Sequence, residues 1–201
     1  MNTPPIMLRQ RVCSPRGQSL VEFAIVLPMV LVLALGVTEV SYALLDQHIV
    51  TKLTREGSNL ISRDTSLDDA LKVMKSMSSG SVNFTPTGTS NVIFSVIKKV
   101  GTVGTANFGK EVLYQRLAAG NLPNTSYLTT SGTGSFGPGP DYQAANSDTD
   151  TRLQVTNLPP NLMVTGGMLY ITEIYTKHPL ITPFDKFGVS VPSTLYSIAY
   201  F

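Results

Sequence analysis

The longest apolar run in the chain lies close to its N-terminus. No charged residue occurs from Phe23 to Val37, and the 23 residues from Leu20 to Tyr42 include only two carboxylates, one near each end. As an α-helix, this run would be about 35 Å long, whereas the hydrocarbon core of a bilayer is about 30 Å thick. The pattern therefore predicts one transmembrane helix, residues 18–44.

A helical pattern continues beyond the apolar run. Apolar or small residues recur at three- and four-residue spacing: Leu45, Ile49, Leu53, Gly57 and Leu60–Ile61. Charged residues such as Asp46, Lys52 and Arg55 stand between them. One apolar face and one polar face predict an amphipathic stalk helix over residues 45–63. We expect its apolar face to pack against a sheet in an exposed domain, residues 64–201.

The exposed domain is predicted to mix helix and strand. Thr65–Ser66 can cap a short helix, Leu67–Met77, and residues rich in Val, Ile, Phe and Tyr predict strands. The predicted strands are Asn91–Val100, Met168–Thr176 and Thr194–Phe201, with a short strand at Leu153–Val155. Residues 110–118 fit neither pattern clearly, and residues 131–151 predict a flexible exposed loop because Gly, Pro, Ser, Asp and Asn dominate there. The fold class is therefore α+β, with the long helix packed on a small antiparallel sheet.

Charge is distributed unevenly along the chain. Of the 15 basic residues, Arg9, Arg11 and Arg16 precede Gly17, whereas all 13 acidic residues follow it. The positive-inside rule then places the N-terminus in the cytoplasm and the exposed domain outside. The nearly neutral remainder offers no basic stripe for phosphate backbones, so no nucleic-acid partner is expected. Cys13 is the only cysteine, which excludes an intrachain disulfide.

The residues ahead of the apolar run suggest a processing signal. Gly17 follows an arginine, and Glu22 and Phe23 stand at the fifth and sixth positions after it. A glycine lets a peptidase approach the backbone closely, so this order favours a prepilin-type leader, residues 1–17, cut after Gly17 on the cytoplasmic side. Two alternatives remain: an uncut signal anchor, and a secretory signal peptide cut at residues 34–36.

Four positions within the predicted membrane helix are candidates for helix contact. Cleavage would leave Gln18 with a new amine, and Glu22, one turn away, could neutralise the amine of a neighbouring subunit. Pro28 should kink the helix or free a carbonyl, and Gly36 permits close helix approach. Glu39, near the outer edge, either contacts another helix or reaches for the membrane interface.

These residues carry a family resemblance. Residues 17–28, Gly-Gln-Ser-Leu-Val-Glu-Phe-Ala-Ile-Val-Leu-Pro, resemble the opening of TadE-like pseudopilins of tight-adherence (Flp-type) pilus systems. The continuation through Gly36 and Glu39 to Arg55–Gly57 is also similar, as is the stretch Ile174–Leu180 near the C-terminus.

The resemblance implies a pilin-like arrangement and a minor pilin that acts in assembly, priming or at the tip of a pilus. It implies a bacterial inner-membrane location, with the exposed domain periplasmic or extracellular. The implied partners are the inner membrane, a prepilin peptidase, other pilins and minor pilins, and the pilus assembly platform. The alternative is a single-pass anchored extracytoplasmic binding module with no pilus role.

One motif comes close to a nucleotide-binding loop. Residues 104–110 nearly match the phosphate-binding P-loop, but Glu111 stands where a Ser or Thr should bind magnesium. A carboxylate there would also repel phosphate, so a hairpin loop between strands is the preferred interpretation.

The remaining polar residues do not form a recognisable catalytic or metal-binding pattern. Asp141, Asp148 and Asp150 share a loop without EF-hand spacing, and a solvated loop explains them equally well. His48 and His178 have no cysteine or spaced acid nearby in sequence. We therefore expect no enzymatic activity, cofactor, metal or small-molecule substrate.

Overall fold

The structure is a computed structural model that describes residues 15–182 and 193–201. Its elements are α1 (Pro15–Ile61), α2 (Leu67–Met77), β1 (Ser90–Lys99), β2 (Glu111–Gly120), a 3₁₀ turn (Thr151–Leu153), β3 (Met168–Lys177) and β4 (Thr194–Tyr200). The chain divides into two compact units, Met1–Ser41 and Tyr42–Phe201. A long N-terminal helix and a small antiparallel sheet confirm the predicted α+β class. Cys13 and most of the predicted leader lie outside the described residues.

The four strands form one antiparallel sheet in the order β2-β1-β3-β4. Three strands were predicted within one residue of their observed bounds, and the ambiguous stretch near residues 110–118 proves to be β2. A shift in register between Val96 and Ile97 interrupts the pairing of β1 with β2. Such a bulge reverses the strict alternation of side chains, which explains why the sequence of β2 shows no clear period.

One face of the sheet carries the main core of the unit Tyr42–Phe201. The last part of α1 and all of α2 pack on this face, as the amphipathic pattern predicted. The buried side chains are Val50, Leu53, Ile61, Leu67, Ala70, Met74, Val82, Phe84, Val92, Phe94, Val96 and Ile174. The stalk segment of α1 is therefore an integral part of this core.

Gly57 is the point of closest approach between α1 and the sheet. A Cβ atom at this position would lie 2.8 Å from Thr172 Cγ2 and 3.2 Å from Phe94 Cε1. The neighbouring Ser58 Oγ donates a hydrogen bond to the carbonyl of Ala199 in β4, at 3.0 Å. The absence of a side chain at Gly57 therefore brings the helix backbone within hydrogen-bond reach of the sheet.

The second face of the sheet is covered by the long connection between β2 and β3. Its buried apolar side chains are Ile97, Val100, Val112, Leu113, Leu128, Ala144, Leu153, Met163, Leu169 and Ile171. Residues 131–151 contribute to this cover, because Gly132 N donates to Arg152 O and Asn107 Nδ2 donates to Ser147 O. The flexibility of this loop stays a prediction.

Two local predictions have opposite outcomes. Ser66 caps α2, because its side chain accepts a hydrogen bond from Asp69 N, as predicted. The predicted short strand at Leu153–Val155 is wrong, since a 3₁₀ turn occupies Thr151–Leu153 and Gln154 and Val155 form only isolated bridges. The Asp150 side chain accepts from Arg152 N and thereby starts the turn, a local interaction that overrides the apolar pattern.

Candidate functional site

The first candidate site is the apolar surface of α1. Among the described residues, only the helix Gly17–Ile61 is long and apolar enough to cross a membrane, and its most apolar window has a mean hydropathy of 2.6 with no residue buried. Exposing such a surface to water costs about 25 cal/mol per Å². One N-terminal apolar helix of this kind fits a single-pass membrane anchor.

The predicted processing residues lie together on the first turns of α1. Gln18 Nε2 donates a hydrogen bond to Glu22 Oε1 at 3.0 Å, which places the two side chains on one face of the helix. The Cβ direction of Gly17 is open among the described residues, and Phe23 is exposed. This geometry leaves Gly17 accessible, whereas the processing and assembly roles of these residues stay predictions.

The helix remains continuous through Pro28. Proline has no amide hydrogen, so the carbonyl four residues earlier loses its usual donor. Further along, Thr38 Oγ1 and Ser41 Oγ each donate to the carbonyl four residues before them, both at 2.8 Å. These hydroxyls are thereby satisfied within the helix, as a lipid environment requires. Gly36 is open among the described residues, so a neighbouring helix could approach there.

Glu39 differs from the other residues of its segment because it is buried, with 3% of its surface exposed. The adjacent Val40 and the nearby Val37 are both mostly exposed. A buried carboxylate must be compensated by hydrogen bonds or charges, unlike an acid that extends into water at a membrane interface. Its role in contact between helices stays a prediction.

A histidine–carboxylate pair joins α1 to the end of β3. His178 Nδ1 lies 2.6 Å from Asp46 Oδ2, and the histidine side chain is almost fully buried. This acidic partner of His178 was not evident from the sequence, because the two residues are 132 positions apart. Their proximity depends on the packing of α1 against the sheet, which no local pattern encodes.

Two acidic residues of the polar loop, Asp148 and Asp150, bind groups of the protein itself. Asp148 accepts hydrogen bonds from Lys98 Nζ at 3.0 Å and Thr102 Oγ1 at 2.8 Å, and these bonds hold the pKa of its carboxyl below the usual value. Asp150 pairs with Arg152. Within the described residues, no group of three or more potential metal ligands occurs.

The P-loop-like residues form the hairpin connection between β1 and β2. Glu111, at the start of β2, pairs with Lys99 at the end of β1, with Nζ and Oε1 separated by 3.3 Å. The lysine therefore compensates the carboxylate that occupies the position of the expected hydroxyl. This is the hairpin arrangement that the sequence favoured over a nucleotide site.

Sequence reasoning missed a buried carboxylate on the second face of the sheet. Glu173 is fully buried and accepts hydrogen bonds from Ser126 Oγ, from Tyr127 N at 2.7 Å and from Tyr175 Oη at 3.2 Å. Burial and the nearby carboxylate raise the pKa of Tyr175 to about 12. The alternation of β3 placed this residue on one face of the sheet, but its donors come from a distant segment.

Together these features fit the class of single-pass membrane anchors, with one apolar helix of membrane length that continues into the core of an α+β unit. Within that class, the segment of residues 17–59 is TadE-like, since it matches the family model described as TadE-like protein. The match confirms the resemblance predicted from the sequence over this segment. No curated protein and no solved structure gives a significant match to the chain. The family suggests a protein associated with the tight-adherence pilus system.

Proposed function

We propose that this chain is a minor pilin or pseudopilin that acts in the assembly, priming or tip of a tight-adherence pilus. The observation that carries the proposal is the TadE-like match over residues 17–59, which includes both the exposed apolar helix and the Gly17–Phe23 segment. The role proposed is structural, without catalysis, and it is supported by Asp148, Asp150 and Glu173, which each accept hydrogen bonds from groups of the chain itself.

Processing is the first step of the proposed function. A prepilin peptidase cuts after Gly17, and Gln18 becomes the first residue of the mature chain. The arginines ahead of Gly17 keep the N-terminus in the cytoplasm, so residues that follow the membrane helix lie in the periplasm or outside the cell. The inner membrane holds the chain until the assembly platform extracts it.

Assembly is the second step. The apolar surface of α1 leaves lipid and packs against the helices of other pilins, so that contacts with Leu, Val and Ile replace contacts with lipid. The Glu22 carboxylate pairs with the N-terminal amine of a neighbouring subunit and thereby sets the register between the helices. The Gln18–Glu22 hydrogen bond supports this step because it places the carboxylate beside the first mature residue.

Mass spectrometry of the mature N-terminus tests the proposal. The protein is purified from cells that express the prepilin peptidase, and from matched cells that lack it. We expect Gln18 as the first residue only when the peptidase is present. A mature chain that begins at Met1 indicates an uncut anchor, and one that begins at Val37 indicates secretion.

A single-pass anchored binding module without a pilus role is the second candidate. The observation that favours it is the end of the family match at residue 59, which leaves the whole sheet outside the matched segment. Deletion of the chain distinguishes the two candidates: loss of surface pili supports the pilin, whereas normal pili with loss of another surface property supports the module.

A further inference from the structure

A small cavity opens on the second face of the sheet, beside the buried Glu173. Its volume is about 320 Å³. Its lining includes Ile93, Arg116, Asn124, Thr125, Ser126 and Leu128, and we refer to it as the Arg116 cavity. Two strands and the segment after β2 meet here, so the lining comes from three separate parts of the chain.

Among the described residues, Arg116 is the only charged side chain that lines the cavity. It lies opposite Ser95 in the sheet register, and its guanidinium makes no hydrogen bond or ion pair with any described residue. Partial burial lowers the pKa of this guanidinium, and the nearby Glu173 only opposes that effect. The donors of this guanidinium are therefore left for water or for a ligand that enters the cavity.

Other donors converge on the same space without protein acceptors. The side chains of Asn124 and Thr125 line the cavity and make no hydrogen bond to a described residue. The cavity therefore has more donors than the described part of the chain satisfies.

We propose that the Arg116 cavity binds a carboxylate group. The planar guanidinium can donate two parallel hydrogen bonds to a carboxylate, and the neighbouring amide and hydroxyl can orient the rest of the ligand. This is a recognition site: the ligand is held and undergoes no reaction. It does not depend on the pilus role, because binding concerns the exposed unit alone.

The charge and the volume of the cavity narrow the range of possible ligands further. Because the buried Glu173 already offsets the charge of Arg116, a ligand with a single negative charge meets less repulsion here than a doubly charged phosphate. The volume lies at the small end of the range for ligand cavities, about 300–1,000 Å³, so the site accommodates one residue or one sugar ring. The carboxylate can come from the C-terminus of a peptide or from an acidic sugar.

Titration of the purified full chain in detergent micelles tests this site. The probes are N-acetylglycine, which presents a peptide carboxylate, and glucuronate, which presents a sugar carboxylate. N-acetylglycinamide and glucose serve as the matched neutral compounds. Backbone amide shifts of residues 124–128 report binding by NMR. We expect saturable shifts with at least one acid, and at least tenfold weaker binding of its neutral counterpart.

Substitutions identify the side chain that is responsible for binding the carboxylate. Arg116→Met keeps the apolar stem and should weaken binding at least tenfold, whereas Arg152→Met removes an exposed arginine already paired with Asp150 and should change nothing. Glu173→Gln alone should bind as well as the parent or more tightly, because it removes a nearby negative charge. The double variant Arg116→Met/Glu173→Gln removes both charges together and should still fail to bind.

The outcomes distinguish the possible sources of the bound carboxylate. Binding of N-acetylglycine alone identifies a peptide carboxylate, binding of glucuronate alone identifies an acidic sugar, and binding of both supports the shared chemistry. No saturable shift with either acid, equal binding of acid and neutral compound, or full binding by the folded double variant would overturn the proposal. None of these results bears on cleavage after Gly17, so the two proposals fail separately.

Discussion

Gly57 determines how closely α1 can approach the sheet. The atoms that surround its missing side chain belong to Thr172 and Phe94, both fully buried. Thr172 Oγ1 has no hydrogen-bond partner among the described residues, so the methyl and the hydroxyl of this threonine occupy a tight apolar space. The contact tolerates little added volume.

We predict that Gly57→Ala lowers the free energy of unfolding by about 1 kcal/mol. Overpacking a core costs about 1–3 kcal/mol, which exceeds the gain of about 1 kcal/mol in helix propensity. Thermal unfolding in detergent, followed by tyrosine circular dichroism, measures the change. Thr172→Ala should relieve the overlap, so Gly57→Ala becomes neutral or stabilising in that background. An equal loss in both backgrounds would rule out this contact as the cause.

Glu22 is the residue whose charge is hardest to explain by anchoring alone. We predict that Glu22→Ala is still cut after Gly17 but enters pili severalfold less well than the parent chain. The reason is that the carboxylate acts after cleavage, in pairing with a neighbouring amine. Quantitative immunoblots of sheared pili and of membranes measure both steps. Val21→Ala, an exposed neighbour without charge, is the control, and normal incorporation of Glu22→Ala would remove the assigned role.

Residues with a local role could be predicted from the sequence, whereas residues with distant partners could not. The cap at Ser66 follows from a spacing of three positions, and the contact of Gln18 with Glu22 follows from a spacing of four. Asp46 and His178 are 132 positions apart. The sequence showed Arg116 only as one residue of an ambiguous strand. The cavity beside it is formed by residues 124–128, whose position over the sheet no local pattern predicts.

At the scale of elements, α1 combines an exposed apolar segment with a segment that packs in the core. We predict that Leu31→Arg impairs membrane integration, because an arginine at the centre of a membrane helix costs about 2.5–3.5 kcal/mol in insertion. Alkaline carbonate extraction of membranes measures the integrated fraction. Val73→Arg adds the same charge to an exposed position on α2 and should leave integration unchanged. Full integration of Leu31→Arg would contradict an anchor centred on this residue.

The end of β1 is tied to the long loop through Asp148. Its folded pKa is below the ordinary value, so this group stabilises the fold above about pH 4 and loses that effect as the pH falls through the folded pKa. We predict that Asp148→Asn lowers the free energy of unfolding by about 1 kcal/mol at pH 6 and that the difference from the parent shrinks below pH 3.

Melting curves from pH 7 to pH 2.5 in detergent measure this effect. Asp141→Asn, at an exposed position in the same loop, serves as the control and should follow the parent at every pH. A difference between Asp148→Asn and the parent that stays constant down to pH 2.5 would show that the lost stability is unrelated to the charge of Asp148.

The apolar run and the amphipathic spacing predicted α1, and a high content of Val, Ile, Phe and Tyr predicted β1, β3 and β4. The sequence of β2 was ambiguous because a bulge interrupts this strand, and the strand predicted at Leu153–Val155 was wrong because Asp150 starts a turn there. In both places a backbone irregularity, not the average hydrophobicity, decides which side chains become buried.

At the scale of the whole molecule, the stalk belongs to the same compact unit as the sheet. Val50, Leu53 and Ile61 of α1 are each at most 3% exposed, and burying each contributes about 1.5–3 kcal/mol. We predict that a fragment of residues 42–201 folds, whereas a fragment of residues 64–201 does not. Total stabilities of about 5–15 kcal/mol leave little margin for losing all three side chains.

Proton NMR of both fragments measures the outcome through the dispersion of amide and methyl signals. Well-dispersed signals from residues 64–201 would place the boundary of the exposed domain after the stalk, as the sequence analysis set it. Dispersion only in the longer fragment would place the boundary near Tyr42.

The tight contact at Gly57 also has a consequence for how such chains diversify. Gly57 belongs to the segment that matches the family, whereas Thr172 and Phe94 lie beyond it. A helix taken from another chain that matches this family model would fit this sheet only if it brought a residue equally small to the same place. Recombination that joins the helix of one chain to the sheet of another is therefore restricted to pairs whose helix and sheet match in shape at this contact.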